Sequence, residues 1–126
     1  MLTVEFGQEK GILCLSGEGH AGKAPKGQDL VCAAASILAY TADYGLRQMQ
    51  KEGKLDGEYF SCVAPGDVLF ICKPKPEHLT EARHMFGTVL YGYYALQESY
   101  PEAVKVLPIE DDSEEDPNKT KKEEKE

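Results

Sequence analysis

Four side chains capable of cooperative chemistry fall within one short stretch: His20, Asp29, Cys32 and Ser36, in G-E-G-H-A-G-K-A-P-K-G-Q-D-L-V-C-A-A-A-S from Gly17 to Ser36. A helix is predicted to begin just after Asp29, which suits the N-cap and puts Cys32 in the first turn. Free N–H groups and the positive end of the helix dipole gather there. A thiol so placed can ionise well below its usual pKa of about 8.5, and the thiolate is the nucleophile. His20 opens the preceding glycine loop, and a Cys–His pair can activate the sulfur and return a proton to a leaving amine. Ser36 lies one helical turn beyond Cys32 on the same face. Asp29 could orient His20 as well as cap the helix. Ala33, Ala34 and Ala35 leave room for a peptide backbone, and N–H groups around Val31 to Ala33 are the expected oxyanion donors. Composition alone reads each residue more plainly: a packed cysteine, a surface histidine, a helix cap and a helix filler.

The surrounding elements must position these groups. Leu2–Phe6 and Ile12–Ser16 alternate like half-buried strands around Gly7–Gly11, a first hairpin. Gly17 to Gly27 is glycine-rich, holds Pro25 and reads as loop. A helix follows from Leu30 to Glu52, with Leu30, Ala34, Ile37, Leu38, Thr41 and Gly45 as its expected apolar face and Gly53 as its stop. Glu58–Val63 and Asp67–Cys72 form a second hairpin around Ala64-Pro65-Gly66. A second helix runs from Glu77 to Glu98 with the stripe Leu79, Ala82, Phe86, Val89, Tyr93 and Leu96. Pro101 ends it, and Val104–Leu107 suits a short last strand. The fold class is therefore α+β: a mainly antiparallel sheet from two hairpins with two long helices packed on it.

Composition narrows the functions. The chain has 126 residues and a net charge of −8. That acidity disfavours nucleic acid as a direct partner. No apolar run approaches a membrane span, and Met1–Phe6 lacks the form of a secretory signal, so the expected address is cytoplasmic. The segment 110–126 carries −5 of the charge and no aliphatic or aromatic residue. It is expected to be a disordered acidic tail behind one domain, 1–109. Cys14, Cys32, Cys62 and Cys72 are far apart and read as reduced thiols, at least three of them packed as small hydrophobes. No short ligand pair supports a metal site, and no cofactor is expected. The literal G-x-G-x-x-G from Gly17 to Gly22 fails as a dinucleotide motif, because Lys23–Gly27 separates it from the helix. Tyr91, Tyr93, Tyr94 and Tyr100 suit core or dimer contacts better than base stacking. His78 and His84 read as surface residues of the second helix.

The combination Gly19-His20-Ala21, a short loop, then Gly27-Gln28-Asp29-Leu30-Val31-Cys32-Ala33-Ala34-Ala35-Ser36 closely resembles the bacterial ribosomal-processing cysteine protease family, Prp. The resemblance covers Met1 to Leu107. It implies a homodimeric cytosolic endopeptidase that removes the N-terminal extension of a large-subunit ribosomal protein. It makes Cys32 the nucleophile and His20 the base, with Asp29 and Ser36 in supporting positions. The loop from Ala21 to Gln28 would be a mobile cover that orders over the peptide, and Gly19, Ala21, Gly22 and Gly27 are the residues assigned to this substrate loop. The basic Gly22–Lys26 segment and the acidic tail fall outside the shared pattern. Two other readings remain: a non-catalytic dimeric module that binds a ribosomal protein, with Cys32 structural, and a thiol redox sensor, for which no resolving cysteine is near.

Overall fold

The computed structural model describes residues 1–19 and 26–111, with side chains over 1–19 and 30–109. Its elements are β1 (Leu2–Glu9), β2 (Ile12–Glu18), α1 (Lys26–Lys51), β3 (Phe60–Ala64), β4 (Asp67–Cys72), α2 (Leu79–Ser99), β5 (Val104–Val106) and β6 (Glu110–Asp111). A 3-10 turn, Pro76–His78, leads into α2. The strands make one sheet in the order β3-β4-β2-β1-β5, with β6 also paired to β1. Both hairpins and the β2–β4 pairing are antiparallel, whereas β5 and β6 run parallel to β1 along its outer edge. The fold is thus α+β with a mixed sheet whose body is antiparallel. Glu110 and Asp111, assigned to the tail from composition, pair with Gly7 and Gln8; positions 112–126 of that expected tail lie outside the described residues.

Alternation decides the layers. Leu2, Val4 and Phe6 of β1, Leu13 and Leu15 of β2, and Phe70 and Cys72 of β4 are buried on one face. Ala82, Phe86, Val89, Leu90 and Tyr93 of α2 pack into the same core, where the Phe6 and Phe86 rings lie 5.5 Å apart. The expected stripe of α2 therefore faces the sheet. The two helices run antiparallel and close together: Gly92 lies against Leu38, and Gly45 against Met85. A Cβ at either glycine would meet the facing side chain.

Two expectations for α1 are corrected. The helix starts at Lys26, not after Asp29, so Asp29 is inside it and is not its N-cap. Its buried face is Val31, Ala39, Ala42, Leu46 and Met49, whereas Leu30 is 66% and Ile37 62% exposed. Apolar residues occupy both sides of this helix, so periodicity alone did not choose between them. The helix ends as expected at Gly53 (φ 72°). The Gly53 N–H donates to the Gln50 carbonyl and the Lys54 N–H to that of Met49, a reversal that places its glycine in left-handed backbone.

Candidate active site

A largely apolar cleft of about 280 Å3 opens where the strand ends meet the first half of α1. Leu2 and Gly17 form its floor, the hairpin turn from Val63 to Val68 one wall, and Cys32, Ala35, Ser36 and Tyr40 the wall opposite. Helical spacing brings Cys32, Ser36 and Tyr40 to this wall, each one turn beyond the last. Cys32 is half-buried and Ser36 exposed, so the sulfur lies at the boundary between core and cleft. Gly19 also lines the cleft and hydrogen-bonds the hairpin turn through its N–H, which donates to the Gly66 carbonyl at 3.0 Å. Its φ of 102° and the Met1 carbonyl beside it leave no room for a side chain.

The structure thus brings Cys32, Ser36 and Gly19 to one cavity. His20, Ala21 and Gly22 lie outside the described residues, as does the Asp29 side chain. Gly27 and Gln28 belong to α1, so the segment expected to cover the site is shorter than 21–28. The early helix start also moves Cys32 into the second turn. The dipole effect fades within the first turn, and N–H groups at Val31 to Ala33 face carbonyls of their own helix. The thiol activation and oxyanion site expected from a first-turn cysteine therefore lose their geometric basis, and the burden of activation passes to side-chain neighbours.

Tyr93 and the Val63–Val68 wall escaped the sequence reading. Tyr93 fits the core stripe of α2 and is buried, yet its edge lines the cleft and its hydroxyl donates to the Ala35 carbonyl at 3.1 Å. Burial pushes that phenol up to about 12, so it remains a donor at neutral pH. The wall had one legible signal, the Pro65-Gly66 turn, but nothing in it pointed toward Cys32.

The other cysteines have different surroundings. Burial pushes Cys72 up to about 12, with a smaller contribution from Cys14. Burial and then the Glu5 carboxylate raise the Cys14 thiol. Both are held as neutral thiols at neutral pH. Cys72 is fully packed, as expected of a small hydrophobe, while Cys14 and Cys62 are half-buried. Among the described residues no three His, Cys, Asp or Glu side chains gather as a metal site, and no helix is long and apolar enough to cross a membrane.

Solved structures share this architecture. SMU.848 from Streptococcus mutans is 25% identical with a TM-score of 0.62, over 88% of this chain and 95% of that one. An essential ribosomal processing protease Prp from S. aureus, in complex with a covalently linked product peptide, is 21% identical with a TM-score of 0.60, over 84% and 97%. The same protease with a substrate peptide is 20% identical with a TM-score of 0.60, over 85% and 98%. At these identities the S. aureus structures speak to the fold. No curated protein matches the chain. The sequence pattern of the cysteine protease Prp family matches residues 1–105, from β1 through Cys32 and α2 into β5, and the chain belongs to that family.

Proposed function

We propose that this chain is a cytoplasmic cysteine endopeptidase that removes the N-terminal extension of a large-subunit ribosomal protein. The observation that carries the reading is Cys32 at the edge of a peptide-sized apolar cleft, in a chain of the cysteine protease Prp family. The Cys32 sulfur bonds to the scissile carbonyl carbon. The C–N bond breaks, and His20 hands the thiol proton to the departing amine. Water then cleaves the thioester and regenerates the thiol. Ser36 faces the same cleft and supports the sulfur or the histidine, and Asp29 supports His20. The apolar lining suits a segment with apolar side chains beside the scissile bond. The S. aureus relative, a ribosomal processing protease seen with a substrate peptide, supports the substrate class.

The catalytic unit is the expected 1–109 together with the β6 pairing at 110–111, and the rest of the acidic tail is dispensable for cleavage. A homodimer fits a further feature: Leu30, Ile37, Tyr40 and Tyr44 form an exposed apolar stripe along α1. Incubating the protein with the extended ribosomal-protein precursor tests the reading. Mass analysis should show one cut, releasing the extension. Iodoacetamide at neutral pH should label Cys32 well before Cys14 and Cys72, whose raised pKa values keep them as thiols. An intact precursor, together with slow labelling of Cys32, would favour the non-catalytic binding module.

A further inference from the structure

Both helices cover one face of the sheet, and its other face carries an apolar patch. The register places Phe60, Ile71, Cys14 and Gly7 in one outward row across β3, β4, β2 and β1. Cys62, Leu69, Ser16 and Glu5 form the next row, and Ala64, Asp67, Glu18 and Thr3 the third. Phe60 is 52% exposed, Ile71 37% and Ile12 42%, with Leu69 and Cys62 half-covered between them. Three adjacent strands so lined make a surface about 10 Å across, of a kind that soluble chains seldom leave without a partner.

Charge selects the partner. Glu5, Glu9, Glu18 and Asp67 occupy outward strand positions around this patch, and all four are exposed. Glu5 is close enough to Cys14 to raise its thiol, so an acid directly borders the apolar strip. Lys105 of β5, opposite Thr3, is the basic exception on an outward strand position among the described residues. Two copies meeting through this face would set these carboxylates against each other, whereas Leu30, Ile37, Tyr40 and Tyr44 of the exposed α1 stripe are uncharged. A cationic polypeptide with apolar anchors would find both its needs met here. The patch is also continuous with the cleft: Asp67 lines the cleft and stands in the outward row, at the turn where a chain leaving Cys32 would pass onto the outer face.

We infer that the outer sheet face is an exosite for the body of the substrate, gripping a lysine- and arginine-rich, apolar-anchored part of the protein whose extension is cut at Cys32. This rests on the proteolytic reading above. It supplies what a small cleft cannot: recognition of a protein that packs against RNA phosphates and is therefore cationic.

The test compares two substrates, the full-length precursor and a short peptide spanning the cut. The double variant Phe60→Ser/Ile71→Thr should lower kcat/KM on the precursor about tenfold and leave the peptide unchanged. Glu5→Lys should do the same about threefold, and added salt should slow precursor cleavage more than peptide cleavage. Unchanged peptide cleavage reports that each variant is folded. Equal precursor-to-peptide ratios in variants and wild type would overturn the exosite, as would a double variant that alters sedimentation of the free enzyme with no change in that ratio. The mature ribosomal protein, lacking its extension, separates this inference from the reading beneath it. Binding of mature protein that is lost in Phe60→Ser/Ile71→Thr upholds the surface even if no precursor is cut. Precursor cleavage with no such binding overturns the surface and leaves the protease.

Discussion

The two halves of α1 differ in what holds them. Its second half is fastened by polar side chains. Asp43 accepts from Arg47 and from Ser61 of β3, each at 2.6 Å, and Arg47 lies over the Tyr44 ring. Just beyond the helix, Lys54 bridges Glu52 and Glu81, tying the end of α1 to the start of α2. In the first half, Cys32 to Ser36 are all small, and among the described residues the Tyr93 hydroxyl on the Ala35 carbonyl ties this half to α2. One helix thus serves as anchor at one end and as cleft wall at the other. Reactive groups can be presented at the wall because the anchor fixes the helix against the sheet.

That contrast predicts a separation between activity and stability. The largest effect belongs to the cleft half. Cys32→Ser, nearly isosteric, should lower turnover by about a thousandfold or more while the melting temperature stays within error of wild type. Precursor cleavage followed by mass analysis, alongside thermal denaturation, measures both. Retained turnover would mean that the sulfur is not the nucleophile.

In the anchor half the pattern should invert. Leu46 is fully buried in the single core, and Leu46→Ala should cost about 2–5 kcal/mol by denaturant unfolding. Activity per folded molecule should barely move. Gly19→Ala tests the boundary between the two regimes. It forces a side chain onto a φ of 102° and against the Met1 carbonyl, a strain of about 1–3 kcal/mol. Because Gly19 lines the cleft beside the hairpin turn, precursor cleavage should fall further than that loss of stability explains.

The sequence was most readable where one periodicity had one meaning. The strands of the first hairpin alternate cleanly, and α2 has a single apolar stripe, so their buried faces followed directly. In α1, apolar residues lie on two faces, and Leu30 and Ile37 drew the expected core face to the exposed side. Asp29 looked like a cap because Ser, Thr, Asp and Asn so often are, yet Lys26, Gly27 and Gln28 continue the helix before it. That single displacement moved Cys32 out of the first turn and removed the electrostatic argument built on it. The grouping of Cys32 and Ser36 survived, since helical spacing does not depend on where the helix begins. Tyr93 and the Val63–Val68 wall were illegible as site residues, because their proximity to Cys32 is created by tertiary packing across more than thirty residues.

The smallest effect probes the anchor itself. The Asp43 side chain is 15% exposed. Burial pushes its carboxyl up, but the hydrogen bonds from Ser61 and Arg47 outweigh this and hold it below the usual carboxylate range. A carboxylate depressed in the folded state adds stability above its unfolded pKa and loses it as pH falls through the folded value. Ser61→Ala removes one of the two donors and should cost about 1 kcal/mol at neutral pH. The deficit should shrink only as the pH falls through the depressed folded value, where Asp43 takes up its proton and the charge-assisted bond is lost in wild type as well. Melting temperatures of the two proteins, followed from neutral pH downward until Asp43 is protonated in both, would show it. A deficit that persists in acid would assign the Ser61 contribution to packing, and cleavage of the precursor should be unaffected in either case.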